Sequence, residues 1–371
     1  MKKLIKLIRL DIDFTNRNFG LDLMRFFAII FVVQNHASML EKANTNFPYI
    51  RLIDGVELFF VLSGFLIGRI LIKLYLDTEK FNFKDVLIFW KRRWFRTLPN
   101  YYLILILNIV IVYFGIIKED FTQFNWKFLF FLQNFNEPFY GFYWESWSLS
   151  IEEWFYLFFP LILLAISIFP SNLISKKIKF FTAILILIII PSLLRIFVAS
   201  KFEVDDFWFG VKIAKVVIFR IDSIAWGILA AFIYKYSYDF WVKSKNLFFV
   251  LGLTILYSSL YHHWPANDFI TKTIKFNITS IGCVLLLPKF ESLKTSRIKL
   301  KYIVTHISLI SYSMYLINLA LVSEVIYFNF LPTTALISWI TFLIYWMVVI
   351  IFSTFLFKYF ENPIMKLRDR Q

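Results

Sequence analysis

The segment Ala335–Phe357 reads ALISWITFLIYWMVVIIFSTFLF and contains no charged residue. As an α-helix it is long enough to cross about 30 Å of hydrocarbon, because each helical residue adds about 1.5 Å. This segment therefore predicts a transmembrane helix, and the rest of the chain can be searched for similar runs.

The whole chain is rich in hydrophobic residues, like this segment. Of its 371 residues, 59% are hydrophobic, and the mean hydropathy is +0.67. A soluble domain averages roughly 45–50% apolar residues, so a water-soluble fold of this chain would expose far too much apolar surface. These values exclude soluble globular, disordered and fibrous classes, and they predict an all-α polytopic membrane protein.

Nine further apolar runs lie N-terminal to Ala335–Phe357. Together with it they predict a bundle of about ten transmembrane helices. No segment between these runs exceeds about 31 residues, so we expect residues 1–371 to form one membrane domain without a separate soluble domain. The predicted spans are Leu21–Met39, Leu58–Leu76, Leu98–Ile117, Leu149–Phe169, Phe180–Ala199, Ile213–Tyr234, Leu247–Tyr261, Phe269–Leu287, Ile307–Ile326 and Ala335–Phe357.

The basic residues alternate between the segments that flank these runs. Segments expected on one side of the membrane hold 26 Lys and Arg, and those on the other side hold 8. Cytoplasmic loops carry the excess of Lys and Arg, so both termini are predicted to be cytoplasmic in a multi-pass protein of the cell (inner, cytoplasmic) membrane. The net charge of +15 is then a topology signal, and no nucleic-acid partner is expected.

Charged side chains within a span are costly and usually mark function. Arg25 and His36 lie 11 residues apart on the first span, which places them on one helix face within about 20° and about 16 Å apart along the axis. Such a stripe favours a shared polar cavity, although a single His in an apolar run is often only a structural residue.

A second cluster, Arg93 and Arg96, precedes the third span. Their i, i+3 spacing lets both guanidinium groups reach one anion, so we predict a phosphate site open to the cytosol. Positive-inside anchoring is the alternative explanation. Arg69 and Arg195 lie near span ends, where long side chains reach the interface without further function.

On the outer side, Glu57 and Glu152 are carboxylates that could orient or charge-balance His36. Arg220 and Asp222 are candidate site residues as well, but they lie about 200° apart on a helix and so face different directions. The sequence contains no metal-binding pattern, and Cys283, the single cysteine, is expected to be a buried apolar residue.

Seven motifs, in order along nearly the whole chain, resemble the membrane-bound acyltransferase-3 (OafA/YrhL-like) family. One departure is Asn318, where family members often carry His. The motifs are LDLMRFFA (Leu21–Ala28) leading to His36, GVELFFVLSGFLI (Gly55–Ile67), Arg93-x-x-Arg96-Thr-Leu-Pro99, WSLSIEEWFYLFFP (Trp147–Pro160), FRIDSIAWG (Phe219–Gly227), SYSMYLIN (Ser311–Asn318, with Tyr312 as a further candidate) and FENP (Phe360–Pro363).

The resemblance implies an O-acyltransferase that moves an acyl group, commonly acetyl, from cytosolic acyl-CoA to a hydroxyl of a cell-envelope glycan or lipid-linked sugar. It implies no permanently bound cofactor, because acyl-CoA is a substrate. Arg93 and Arg96, with Arg25, would hold the donor phosphates. His36 would act as general base, with Glu57 or Glu152 orienting it.

Three alternatives stay open. The acyl group could pass through a covalent acyl-protein intermediate. The donor could carry succinyl or a longer chain. The buried charges could instead serve a secondary transporter or flippase, although the paired cytosolic arginines and the lack of recognisable inverted repeats count against it.

Overall fold

The computed structural model describes residues 9–15, 17–41, 54–170, 174–201, 205–261, 264–265, 268–295 and 297–368. These residues contain helices and no strand, which confirms the all-α class. The ten main helices are α1 (Phe19–Ala37), α2 (Gly55–Leu76), α3 (Phe83–Tyr113), α4 (Ser146–Ile166), α5 (Lys176–Ala199), α6 (Asp222–Tyr236), α7 (Lys245–Tyr261), α8 (Lys275–Ser292), α9 (Ile298–Ile317) and α10 (Ala335–Leu356).

Within the described residues, eight helical regions are long and apolar enough to cross a membrane. The two other predicted spans coincide with α7, which is apolar but shorter, and with α8 together with the short helix Phe269–Thr273. A polytopic helical membrane protein is therefore confirmed, while the count of ten crossings and the cytoplasmic termini stay predictions. The eight regions are Phe19–Leu40, Gly55–Leu76, Phe83–Tyr113, Ser146–Ile166, Lys176–Ala199, Val217–Tyr236, Ile298–Asn329 and Ala335–Arg368.

Helix α3 differs from its predicted span, because it begins at Phe83 rather than near Leu98. Asn82 caps it by accepting hydrogen bonds from the backbone N–H groups of Lys84 and Asp85, and the Asp85 side chain accepts from the N–H of Asn82. This reciprocal capping fixes the helix start. Because the helix begins at Phe83 and continues through Pro99, Arg93 and Arg96 lie in its first half rather than in a preceding loop.

Helices α2 and α6 approach so closely that only glycine fits at their crossing. A Cβ atom added at Gly64 would overlap the carbonyl oxygen of Ile224, and one at Gly227 would overlap that of Val61. Small residues at such crossings are typical of helix packing in membranes, where van der Waals contact drives association. This contact fixes the position of α2 against α6. Residues of α2 also line the cavity described in the next subsection.

Two buried ion pairs join the helices around α6. Asp222 on α6 accepts hydrogen bonds from Arg195 on α5 at 2.6 and 3.1 Å, and the two side chains are 1% and 0% exposed. Arg220, in the short helix Val217–Arg220, pairs with Glu57 on α2. The four charged groups of these two pairs therefore each have a partner of opposite sign, as is usual for charges within membrane-spanning bundles.

Candidate functional site

A cavity of about 520 Å³ lies among α1, α2, α3, α4 and α9. Its wall carries both charged and apolar side chains. The lining residues are Arg25, Val56, Phe59, Phe60, Ser63, Leu66, Ile67, Arg69, Ile70, Arg93, Arg96, Thr97, Ser148, Leu149, Glu152, Tyr156, Ser311, Tyr312 and Tyr315.

The cavity is elongated along α2. Its wall includes Val56 in the first turn of α2 and Ile70 fourteen residues later, a distance of about 21 Å along the helix axis. Arg69 lies at the Ile70 end, whereas Ser148, in the first turn of α4, contributes an uncharged hydroxyl. An extended ligand with an anionic end fits this distribution of charge.

Arg25, Arg93 and Arg96, which the sequence predicts as donor-binding residues, all line this one cavity. Arg93 and Arg96 form no ion pair with a carboxylate of any described residue, and Arg93 Nε is buried without a hydrogen-bond partner. Arg25 lies 3.9 Å from Asp22, whose closer partner is Arg17 at 2.5 Å. The guanidinium groups of Arg93 and Arg96 are thus available to an anion from outside the chain.

Glu152 and Tyr312 also line the cavity. The Glu152 carboxylate accepts hydrogen bonds from Ser63 Oγ at 3.2 Å and from the Tyr156 hydroxyl at 2.8 Å. The Tyr312 hydroxyl donates to the carbonyl oxygen of Thr97 at 2.8 Å and so joins α9 to α3. Both side chains are fixed within the wall, which suits positioning of a ligand.

His36 lies outside the cavity wall and is linked to the wall residue Tyr315 through Asn318. Its Nδ1 is 2.5 Å from Asn318 Oδ1, and the Asn318 side chain also donates to the carbonyl oxygen of Tyr315, a wall residue, at 2.7 Å. The imidazole is half-buried. Nε2 forms no hydrogen bond with a described residue. It is not one of the fully buried polar atoms that lack a partner.

The expected pairing of His36 with a carboxylate is not what the structure contains. Glu57 is outside the cavity wall and is bound by Arg220 and Ser280, and Glu152 is bound by Ser63 and Tyr156. Arg220 and Asp222 face different directions, as their angular separation predicts. Arg220 is paired with Glu57, and Asp222 is paired with Arg195. The amide of Asn318, rather than Glu57 or Glu152, contacts the imidazole.

The structure differs from the sequence interpretation at two arginines and adds two hydroxyl groups. Arg69, assigned to the interface, lines the cavity, and Arg195 is buried in an ion pair away from the cavity rather than extended to the interface. Ser148 and Tyr315, which sequence reasoning did not single out, line the cavity with their hydroxyls 2.5 Å apart. Hydroxyl groups in an apolar run carry little sequence signal, so only packing reveals them.

A further group of titratable residues lies in the segments around Trp144 and Lys215. Lys215 Nζ lies 3.1 Å from the centre of the Trp144 ring, and burial lowers the pKa of Lys215 to about 7. Burial raises the pKa of Glu145 well above its ordinary value, and burial together with the nearby Glu324 raises that of Glu119 to about 8. Lys215 can therefore be neutral or cationic near neutral pH, and Glu119 can be neutral or anionic.

No group of His, Cys, Asp and Glu among the described residues has the arrangement of a metal site.

A polytopic helical bundle that encloses an arginine-lined cavity defines an integral-membrane protein with an internal cavity. Comparison with known sequences gives the family: the family model described as an acyltransferase domain matches residues 18–358. Because this match covers nearly the whole chain, the protein belongs to the acyltransferase-3 family, which confirms the resemblance.

Two relatives illustrate the similarity. The chain is 35% identical over 159 residues to YrhL of Bacillus subtilis (strain 168), which is named as a candidate peptidoglycan O-acetyltransferase. It is 36% identical over 163 residues to the O-acetyltransferase OatA of Staphylococcus aureus (strain NCTC 8325 / PS 47). Each alignment covers 39% of this chain and about a quarter of the relative, 23% and 24% respectively. No solved structure matches the chain.

Proposed function

We propose that this protein is an O-acyltransferase of the cell membrane that uses cytosolic acyl-CoA, most simply acetyl-CoA, as donor. The acceptor is a hydroxyl of an extracytoplasmic glycan or lipid-linked sugar. Family membership supports acyl transfer, and the names of the two relatives support acetyl as the group and an envelope glycan as the acceptor.

The observation that carries this proposal is the elongated cavity with free arginines along its wall. A coenzyme A thioester has a phosphorylated nucleotide at one end and a long, narrow arm that ends in the reacting carbon. Arg93 and Arg96 would bind phosphate oxygens, since guanidinium groups form paired, charge-assisted hydrogen bonds with them. The arm would extend along α2 past Phe59 toward Ser148 and Tyr315.

His36 would act as the general base next to this end of the cavity. Its Nε2 would remove the proton of the acceptor hydroxyl while that oxygen attacks the thioester carbonyl carbon. The carbon–sulfur bond then breaks, the thiolate of coenzyme A leaves with the electron pair, and the proton on the imidazolium neutralises it. No residue needs to carry the acyl group in this direct route.

The donor site can be tested by replacing Arg93 and Arg96 together with Ala. Loss of each charge-assisted contact typically costs about 1.5–3 kcal/mol, so the binding constant for acetyl-CoA should weaken by at least about a hundredfold. Lys at both positions should restore binding only in part, because an ammonium group lacks the planar fork.

Arg92→Ala is the matched control, because Arg92 belongs to the same helical turn, is exposed and does not line the cavity. Calorimetric titration of the purified proteins with acetyl-CoA gives the comparison. Equal affinity of the double variant and the wild type would place the donor site elsewhere. Uptake of radiolabelled sugar without acetylation by reconstituted wild-type protein would instead favour the transporter reading.

A further inference from the structure

Asn318 holds His36 through an amide whose orientation is fixed on its other side. Asn318 Nδ2 donates to the carbonyl oxygens of Met314 at 2.8 Å and Tyr315 at 2.7 Å. The reversed amide would bring Oδ1 against these two carbonyl oxygens, which are acceptors only. Oδ1 must therefore be the atom that lies 2.5 Å from His36 Nδ1.

The backbone at Asn318 supports this arrangement. Helix α9 ends at Ile317, and a π-helical segment, Asn318–Glu324, follows it directly. Such segments are rare and are frequent at functional sites. The Asn318 side chain is fully buried, and Ser323 of the same segment donates to the carbonyl oxygen of His36 at 3.1 Å. This segment therefore forms hydrogen bonds with both the backbone and the imidazole ring of His36.

An amide oxygen cannot donate a hydrogen bond, so the contact requires a hydrogen atom on Nδ1 of the imidazole. In a neutral imidazole the other nitrogen, Nε2, then carries the lone pair. Nε2 has no hydrogen-bond partner among the described residues. Nε2 is therefore both the unprotonated nitrogen of His36 and the nitrogen without a hydrogen-bond partner among the described residues.

We propose that Asn318 is a positioning residue that fixes His36 in the tautomer with the hydrogen on Nδ1, so that Nε2 is the catalytic base. The amide takes the place that a carboxylate would occupy, and it does so without adding a charge to the bundle interior. This inference rests on the proposed function for its catalytic part, whereas the tautomer is a property of the resting protein.

The tautomer can be measured directly by 15N NMR of protein labelled at histidine and reconstituted in lipid, with the His36 signals assigned by their loss in His36→Gln. The wild type should show a protonated Nδ1 and an unprotonated Nε2. Asn318→Leu should shift His36 toward the form with the hydrogen on Nε2, which free imidazole side chains prefer. The matched control is Asn108→Leu, since Asn108 is equally buried and its amide contacts only the carbonyl oxygen of Ile104.

Kinetics test the catalytic part. Asn318→Leu should lower kcat for acetyl transfer by roughly 10- to 100-fold, as loss of a residue that orients a ligand or base typically does, while KM for acetyl-CoA is unchanged. Asn318→Asp, which keeps an acceptor oxygen, should recover much of that loss.

Two results would overturn the inference: a wild-type signal with the hydrogen on Nε2, or an Asn318→Leu protein with the wild-type tautomer and kcat. These results are distinct from failure of the proposed function, which would appear as a fully active His36→Ala protein whatever the state of Asn318.

Discussion

At the scale of single residues, the two buried ion pairs near α6 are each completed by further hydrogen bonds. Arg195 is held by Asp222 and by the carbonyl oxygens of Thr273 and Phe219, and Glu57 is held by Arg220 and Ser280. A buried charge is tolerated only when it is paired and hydrogen-bonded. These residues therefore act in structure, while Arg93 and Arg96 of the cavity, which form no ion pair with a described residue, are available for a ligand.

This division predicts the behaviour of the Arg195–Asp222 pair. Arg195→Met alone leaves an uncompensated carboxylate, which typically costs about 3–5 kcal/mol, so the variant should unfold at a clearly lower temperature in detergent. The double variant Arg195→Met/Asp222→Leu removes both charges and should regain most of the loss. A double variant no more stable than the single one would show that the pair does not act as a unit.

The residues also show how far the sequence could lead. From the sequence, Arg195 is expected at a span end and Glu57 is expected to orient His36, whereas the structure pairs Arg195 with Asp222 and Glu57 with Arg220. The choice of partners depends on which helices touch. The Arg25–His36 stripe was found by periodicity alone, because both lie on one helix. The contact of His36 with Asn318 joins residues 282 positions apart and could not be derived from spacing within a helix.

At the scale of secondary-structure elements, the close contact of α2 with α6 holds the cavity wall in place. Hydrophobic runs predicted most helices, since a bilayer demands long apolar segments. They placed the start of α3 poorly, because its first half is polar enough to break the apolar pattern, while the cap at Asn82 determines where it begins.

The crossing of α2 and α6 predicts a severe effect of one added methyl group. In Gly227→Ala the Cβ atom meets the backbone of Val61, and a backbone atom cannot move aside as a side chain can. The helices must separate, so the melting temperature should fall and acetyl-CoA binding should weaken.

Gly210→Ala provides the matched control, because a Cβ at Gly210 meets no atom within 4 Å. It should be neutral or slightly stabilising, since alanine loses less backbone entropy than glycine on folding. Equal melting temperatures for the two variants, measured in the same detergent, would contradict the role assigned to this crossing.

At the scale of the whole molecule, the direction of the cavity across the membrane depends on the topology. The 26-to-8 distribution of Lys and Arg predicts that the arginine-lined part of the cavity lies near the cytosol, on the side of the proposed acyl-CoA donor. His36 is then predicted to lie toward the opposite face, the side of the proposed glycan acceptor.

Reporter fusions test this orientation. Fusions after Lys299 and after Gln371 should report a cytoplasmic location, and a fusion after Pro265 should report an external one. The reading at Pro265 is decisive, because it lies between α7 and α8, the two segments that are not among the eight clear spans. A cytoplasmic signal there would change the number of crossings and the sidedness of the proposed transfer.

The central claim is that His36 transfers the proton in acyl transfer, and the most direct test is the rate of acetyl transfer by His36→Ala protein. Removing a positioned base typically lowers the rate by about 10²–10⁴. His306→Ala is the matched control, since His306 lies outside the cavity wall and contacts Thr354 on α10 at 3.1 Å. We predict that His36→Ala folds, binds acetyl-CoA like the wild type and transfers acetyl at no more than about a hundredth of its rate, while His306→Ala remains active. A well-folded His36→Ala protein that transfers at more than about a tenth of the wild-type rate would contradict the claim.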